Sequence, residues 1–204
     1  WVKLSIDNLI KNLRKKRFKE EFFVDRDELF KYIMKETNED EKIGFGGSKT
    51  LDDLGLYEKF IGQGKEVFWH WKTEPNERLE VLKKAQHVDS YFSSTNAITL
   101  DGRLVNIDGN ANRVASMIFG PKKVFIIAGE NKIANDLDGA LNRIKTIACP
   151  QNARRLERNL PCSVTGKCTD CRSDERMCNV TTIIEGNIPT TDIRICIVGE
   201  NLGY

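Results

Sequence analysis

The feature that most constrains the fold is an uninterrupted apolar run at residues 124–128, Val-Phe-Ile-Ile-Ala. A strand with one solvent-exposed face alternates apolar and polar residues. A strand that is apolar throughout is buried on both faces and is typical of a parallel sheet covered by helices. Segments with strand-like and helix-like patterns alternate along the rest of the chain. This order predicts an α/β fold with a mostly parallel sheet flanked by helices.

The residue patterns also predict where the elements lie. Strands are predicted at residues 21–24, 42–45, 66–71, 90–95, 124–128, 180–185 and 193–198, and a hairpin at residues 98–107. Helices are predicted at residues 3–17, 25–37, 77–87, 110–119, 135–148 and 152–160, with a short one from residue 50. Within the hairpin, Asp101-Gly102 separates two alternating runs, which is typical of a type I′ turn.

Length and charge limit the classes of protein to be considered. The 204 residues suffice for one buried core, so residues 1–204 are predicted to form a single domain, with residues 1–20 as an N-terminal helical appendage. The net charge of +2 argues against a nucleic-acid partner. No apolar run approaches the roughly 20 residues that span a bilayer, and the N-terminus has no signal-peptide pattern. We therefore expect a cytoplasmic protein without a membrane partner.

The first candidate site is the turn Gly46-Gly47-Ser48-Lys49-Thr50, which follows a predicted strand and precedes a helix. Glycines let successive backbone N–H groups point at one anion, and a helix start favours negative charge. Ser48 and Thr50 add hydroxyl donors. The spacing is not that of a Walker A loop. The alternative is an ordinary tight turn between a strand and a helix.

Two further candidates follow other predicted strands. Ser94 and Asn96 lie at the end of one strand, where open α/β sheets bind ligands. Lys132 follows the apolar strand and could reach a phosphate there. The alternatives are turn-forming side chains in the first case and a surface lysine in the second.

A fourth candidate lies around the start of the helix predicted at residues 110–119. Asp108 could act as a general acid or base or bind sugar hydroxyls, and Arg113 could pair with a carboxylate or phosphate. Asn110 and Asn112 add amides beside them. The alternative is that Asp108 or Asn110 only caps the helix.

Four cysteines form the fifth candidate, in a polar loop at residues 161–179 that can bury little by itself. They are Cys162, Cys168, Cys171 and Cys178. Four thiolates can hold zinc or an iron–sulfur cluster, and free thiols or reversible disulfides are the alternative. Cys149 and Cys196 lie in apolar contexts and are predicted to be core residues.

Taken together, several short segments resemble the LUD domain family, which is named for lactate utilisation. The similar segments are at residues 46–51, 94–99, 101–109, 112–115, 119–121, 131–133, 162–179 and 198–203. The resemblance covers nearly the whole chain from about residue 20, and its joint pattern is specific although no single segment is.

The resemblance implies the superfold of ribose-5-phosphate isomerase, glucosamine-6-phosphate deaminase, CoA transferases and 5-formyltetrahydrofolate cyclo-ligase. In those proteins a glycine-rich turn after a strand holds a phosphate or nucleotide, and residues 46–50 would be its counterpart. Asp108 and Lys132 resemble the acidic and lysine positions of the sugar-phosphate isomerase site, which makes them candidate catalytic residues. The superfold often dimerises, so a homodimer is an expectation.

Two functional hypotheses follow from these observations. The first is a protein of organic-acid or lactate metabolism that binds a phosphorylated or carboxylated small molecule at the glycine-rich turn. The second is an electron-transfer or redox-sensing subunit that uses the cysteine loop. The family's link to lactate oxidation comes from multi-component systems whose other subunits carry ferredoxin-like motifs. This chain has no such domain, so the resemblance does not identify lactate as its substrate.

Overall fold

The structure is a computed structural model that describes residues 2–204. Its strands are β1 (Lys19–Phe23), β2 (Ile43–Phe45), β3 (Val67–Phe68), β4 (Ser90–Ser93), β5 (Ala97–Thr99), β6 (Leu104–Asp108), β7 (Lys123–Gly129), β8 (Ile133–Ala134), β9 (Val180–Ile184) and β10 (Asp192–Val198). Its α-helices are α1 (Val2–Lys15), α2 (Arg26–Glu36), α3 (Lys49–Leu54), α4 (Leu56–Gly62), α5 (Arg78–Ala85), α6 (Asn112–Ile118), α7 (Leu137–Arg143), α8 (Cys149–Arg155) and α9 (Pro161–Thr165).

The main sheet has six strands in the order β1-β10-β7-β4-β2-β3, and every neighbouring pair is parallel. The apolar run at residues 124–128 lies within β7, two strands from one edge. Val124 and Ile126 pack into one hydrophobic cluster, while Phe125 and Ile127 pack into another on the opposite face. The predicted α/β fold with a parallel sheet buried on both faces is therefore confirmed.

Helices cover both faces of this sheet. One cluster includes Leu9 and Leu13 of α1, both fully buried, so the helix predicted as an appendage contributes to the core. The opposite cluster includes Leu29 and Ile33 of α2. The helix start predicted there is also present, because the Asp25 carboxylate accepts hydrogen bonds from the first turn of α2.

A second sheet of four strands has the order β8-β5-β6-β9. The predicted hairpin is its β5–β6 pair, in which Ile98 lies opposite Leu104. The predicted type I′ turn is wrong. That turn needs positive φ at both central residues, and Gly102 has a φ of 88° whereas Asp101 does not lie in that region.

One predicted strand and two predicted helices have different bounds. The strand predicted at residues 66–71 ends after Phe68, because Trp69 turns into the core and a 3-10 helix follows at His70–Lys72. The helices predicted at residues 135–148 and 152–160 form one continuous helical segment from α7 to the end of α8. A π-helical stretch, Ile144–Ala148, joins them just before Pro150. The wider turn accommodates a proline that cannot donate a backbone hydrogen bond.

The topology brings the carboxyl ends of β2, β4 and β7 to one edge of the main sheet, because neighbouring parallel strands point in the same direction. The β5–β6 hairpin leaves from β4 at this edge and places the end of β6 beside it. Within the described residues, no helix has the length and apolar character needed to cross a membrane.

Candidate functional site

Three of the polar segments predicted as sites meet at the carboxyl edge of the main sheet. Gly46 and Gly47 follow β2, Ser94 follows β4, and Lys132 follows β7 in a short 3-10 helix. Lys132 links all three segments. Its Nζ atom donates a hydrogen bond to Thr50 Oγ1 at 2.7 Å and another to Ser94 Oγ at 3.0 Å.

Lys132 is only 4% exposed and has no carboxylate partner among the described residues. Burial is the main reason that the pKa of Lys132 is lowered to about 7. The positive charges of Arg143 and Arg113 contribute to this shift, while the charge of Asp53 opposes it. Near neutral pH the side chain is therefore divided between ammonium and free amine.

Asp108 and Arg113 form a buried ion pair beside the lysine. The carboxylate accepts hydrogen bonds from Nε of Arg113 at 3.0 Å, from its Nη2 atom, and from the backbone N–H of Val114. Arg113 also donates to the Ser94 carbonyl and to the side-chain oxygen of Asn96. Most donors and acceptors of the pair are thus used within the protein, which makes it a brace between β4, β6 and α6.

Close packing explains the two glycines of the turn. Backbone conformation does not, because neither Gly46 nor Gly47 has a positive φ. A Cβ atom on Gly46 would lie 2.9 Å from atoms of Arg113, Ser93 and Tyr91. A Cβ atom on Gly47 would lie 3.0 Å from the indole nitrogen of Trp71.

The hydrogen-bonding groups of the turn are only partly used. The Ser48 hydroxyl accepts a hydrogen bond from Leu51 N, so Ser48 is the N-cap of α3. The backbone N–H of Gly46 is paired with Phe92 across the sheet. The N–H groups of Gly47 and Ser48 donate to no acceptor within residues 2–204. The turn therefore has two backbone donors without a protein acceptor, and both residues line the space in front of it.

That space is an open cleft of about 840 Å³. Its wall includes most of the candidate ligand-binding and catalytic residues predicted from the sequence, namely Gly47, Ser48, Ser94, Asn96, Asp108, Asn110, Asn112, Arg113 and Lys132. Gly46 and Thr50 do not line it, but they contact lining residues: Gly46 packs against Arg113, and Thr50 accepts a hydrogen bond from Lys132. The tertiary structure therefore brings all four polar candidate segments to one cavity.

The cleft has a strong excess of positive charge. Eight lysine and arginine side chains line it, against three carboxylates. Within the described part of the chain, four of these cations have no carboxylate partner: Arg78, Lys132, Arg155 and Arg158. Because the whole chain has a net charge of only +2, the imbalance is local.

The sequence interpretation missed one wall of the cleft, which is formed by His70, Trp71 and Arg155. The guanidinium of Arg155 lies 4.2 Å from the centre of the Trp71 ring, and its Nε donates to the hydroxyl of Tyr204. Burial, together with the positive charges of Arg78 and Arg155, lowers the pKa of His70 to about 4. His70 Nδ1 is buried without a hydrogen-bond partner. Arg155 is distant in sequence from His70 and Trp71, so no local pattern could have linked it to them.

The four cysteines of the loop at residues 161–179 lie around a small cavity of about 20 Å³ together with a fifth, Cys149. The Sγ atoms of Cys149 and Cys178 are 3.5 Å apart. This hydrogen bond, followed by the charges of Arg176 and Lys145, lowers the pKa of Cys178 to about 7, while burial opposes the shift. Cys149 is buried as predicted, but its place in the cluster was missed because it begins α8 and lies outside the cysteine loop in sequence. Cys196 is a core residue, as predicted.

The cysteine cluster as it stands does not have the geometry of a metal centre. Within residues 2–204, no group of three or more histidine, cysteine or acidic side chains is arranged to hold a metal ion. The cluster is nevertheless connected to the cleft, because Cys149, Arg176 and Met177 line both cavities.

Comparison with known proteins identifies the family. The model of the LUD domain matches residues 6–198 of the chain. No curated protein matches the chain.

Among solved structures, a DUF162 family protein from Deinococcus radiodurans is similar over 98% of this chain and 99% of its own, with a TM-score of 0.58 and 11% identity. At that identity the likeness concerns the fold alone. Two partial matches have lower TM-scores. They are eIF2B delta from Chaetomium thermophilum (TM-score 0.36, 17% identity, 58% of this chain and 51% of that one) and ribose 5 phosphate isomerase A from Neisseria gonorrhoeae (TM-score 0.32, 16% identity, 52% and 51%).

Proposed function

Because the chain belongs to the LUD domain family, which is related to the lactate-utilisation proteins, we propose that it binds a small phosphorylated or carboxylated metabolite in the cleft and acts in organic-acid metabolism. The observation that carries this proposal is the set of three cleft arginines without a carboxylate partner among the described residues, Arg78, Arg155 and Arg158. Unpaired cations at the wall of a cavity favour an anionic ligand, since the ligand supplies the missing counter-charge.

The anionic group of the ligand would lie between the glycine-rich turn and Arg155. Gly47 and Ser48 supply two backbone N–H groups without a protein acceptor. Trp71 connects the two sides, because its indole nitrogen lies against Gly47 and its ring lies under the Arg155 guanidinium. A planar guanidinium held on an aromatic ring is pre-organised for a carboxylate or phosphate.

Lys132 lies deeper in the cleft and would contact the other end of the ligand. Asp108 and Arg113 brace the site through their mutual ion pair. Proton transfer by Asp108, which the family resemblance implies, would require its carboxylate to leave Arg113, so we assign binding to the cleft and leave Asp108 its bracing role.

Titration calorimetry with sugar phosphates, nucleotides, CoA esters and lactate tests this proposal. Arg155→Met should weaken the binding of an accepted anion about tenfold or more, since a charged hydrogen bond contributes ~1.5–3 kcal/mol. Arg154→Met is the matched control, because Arg154 bonds to the Ser163 carbonyl and does not line the cleft. Equal effects of the two substitutions, or unchanged affinity after Gly47→Val, would contradict the proposed site.

A redox role for the cysteine cluster is the second candidate, and the convergence of five cysteines on one cavity favours it. Iron–sulfur, zinc and thiol forms of such a role differ in metal content. Metal analysis and the absorbance near 400 nm of anaerobically purified protein distinguish them. Protein that contains neither iron nor zinc would exclude both metal forms and leave thiol chemistry.

A further inference from the structure

The hydrogen bonds around Lys132 account for two N–H groups of its nitrogen. The Thr50 hydroxyl donates its hydrogen to the Leu202 carbonyl, and the Ser94 hydroxyl donates its hydrogen to the Thr95 carbonyl. In this arrangement both hydroxyl oxygens accept from Lys132 Nζ. A neutral amine has two N–H groups, and these two bonds use both.

An ammonium would have a third N–H group at this position. Within residues 2–204 no further acceptor contacts Nζ, and Arg113 and Arg143 are close enough to oppose a positive charge. Asp53 is the acidic group that opposes them from α3. In the neutral form the third tetrahedral direction carries the nitrogen lone pair. Because the two hydroxyls occupy the other directions and Lys132 lines the cleft, the lone pair is left for a group bound there.

We propose that Lys132 is a nucleophilic amine that forms an imine with a carbonyl compound carrying an anionic group, such as a 2-oxo acid or an aldose phosphate. This inference rests on the proposed anion-binding function of the cleft. The carbon–nitrogen bond forms as the lone pair attacks the carbonyl carbon. The carbonyl oxygen then leaves as water with the two protons of the amine, so no oxidant or reductant is consumed.

The site has the two parts that this chemistry needs. The unpaired cations of the outer cleft would hold the anionic group of the ligand, and the amine is buried at its inner end. Burial matters because an exposed lysine is almost wholly protonated near neutral pH and a protonated amine has no lone pair to donate. No cleft-lining lysine other than Lys132 lacks a carboxylate partner, since Lys49 and Lys72 are both paired with acids in the described part of the chain.

Reductive trapping tests the proposal on the wild-type protein. Glyoxylate, pyruvate, 2-oxoglutarate and erythrose 4-phosphate are each incubated with the protein at pH 7.5, and sodium borohydride then converts any imine to a stable secondary amine. We expect one adduct per chain, with peptide mapping placing it on Lys132. Lys132→Arg should abolish this adduct. Lys65→Arg should retain it, because Lys65 is a buried lysine that bonds to the Asn38 carbonyl outside the cleft.

Calorimetry on the same four compounds separates the two proposals. Binding without a borohydride adduct would contradict the proposed imine and would still support the anion-binding site. Adducts spread over surface lysines at similar yield would overturn it as well. If none of the compounds binds and none is trapped, the imine proposal is excluded. The anion-binding proposal is then tested by the sugar phosphates, nucleotides, CoA esters and lactate of the calorimetric experiment described above. Because mapping on wild type needs no variant, misfolding of Lys132→Arg would not obscure the result.

Discussion

The Nζ atom of Lys132 lies 2.7 Å from Oγ1 of Thr50, although 82 positions separate the two residues in the chain. The bond joins the segment after β7 to the first turn of α3. Thr50 in turn donates to the carbonyl of Leu202, so the C-terminal segment is part of the same connection. One buried lysine therefore links three separate parts of the chain at the inner end of the cleft.

The first prediction concerns the pH dependence of stability that Lys132 causes. Burial lowers its pKa from 10.5 to about 7, so between these values the unfolded chain holds a proton that the folded chain lacks. The free energy of unfolding should therefore rise with pH across this window, with a contribution of up to about 1.4 kcal/mol per pH unit. Lys132→Met removes the contribution. Its stability relative to wild type should be highest below pH 7 and fall towards pH 10.5.

Urea unfolding of both proteins at pH 6, 8 and 10 measures this difference, and contributions from all other titrating groups largely cancel in it. Parallel pH profiles would show that Lys132 keeps its ordinary proton affinity in the folded protein.

The second prediction concerns the Asp108–Arg113 ion pair. Arg113→Met should destabilise the protein by ~3–5 kcal/mol, because it leaves the Asp108 carboxylate buried without its cation. Adding Asp108→Asn to this variant should cost less than Asp108→Asn costs alone, since the two residues stabilise each other. Chemical unfolding of the two single variants and the double variant gives the coupling energy.

Arg103→Met provides the comparison, because Arg103 makes a similar short-range pair with Asp101 at the surface. Water screens that pair, so we expect a much smaller loss. Equal losses for Arg103→Met and Arg113→Met would argue against the bracing role of the buried pair.

The third prediction concerns the glycine-rich turn. Gly46→Ala should destabilise the fold by ~1–3 kcal/mol, because the added methyl group would lie 2.9 Å from atoms of three neighbouring side chains. Gly62→Ala is the matched control at the end of α4, where a Cβ atom meets nothing within 4 Å. Thermal unfolding should show a lowered midpoint for Gly46→Ala and an unchanged or raised one for Gly62→Ala. The opposite order would mean that the turn is looser than its contacts indicate.

The fourth prediction concerns the thiol pair next to the cleft. Mild oxidation of metal-free protein with diamide should produce a Cys149–Cys178 disulfide before any other, because these sulfurs are only 3.5 Å apart. Peptide mapping by mass spectrometry identifies the bond. Cys149→Ser should abolish it and Cys196→Ser should not, since Cys196 is buried in the core of the main sheet. Predominant formation of Cys168–Cys171 instead would contradict the arrangement of the cluster.

Much of the fold could be predicted from the sequence because its signals are local. The apolar run at residues 124–128 identified β7 as a strand buried on both faces, and the helix predicted at residues 25–37 corresponds to α2 with its Asp25 cap. The prediction was weaker where tertiary contacts override local preference. Trp69 leaves the predicted strand to fill the core, and the helix after β8 continues past Pro150 through a π-helical turn.

For the site, the sequence by itself determined which polar segments follow strands, and the parallel order of those strands implied that the segments converge. Only the tertiary structure decided the role of each side chain. Asp108 and Arg113 are paired with each other, whereas Lys132 remains without an acid among the described residues. Arg155, Trp71 and Cys149 join the site from segments whose local sequence did not identify them as site residues. The reason is physical. Strand and helix patterns arise from neighbours along the chain, but pairing, burial and pKa depend on residues that folding brings together from distant positions.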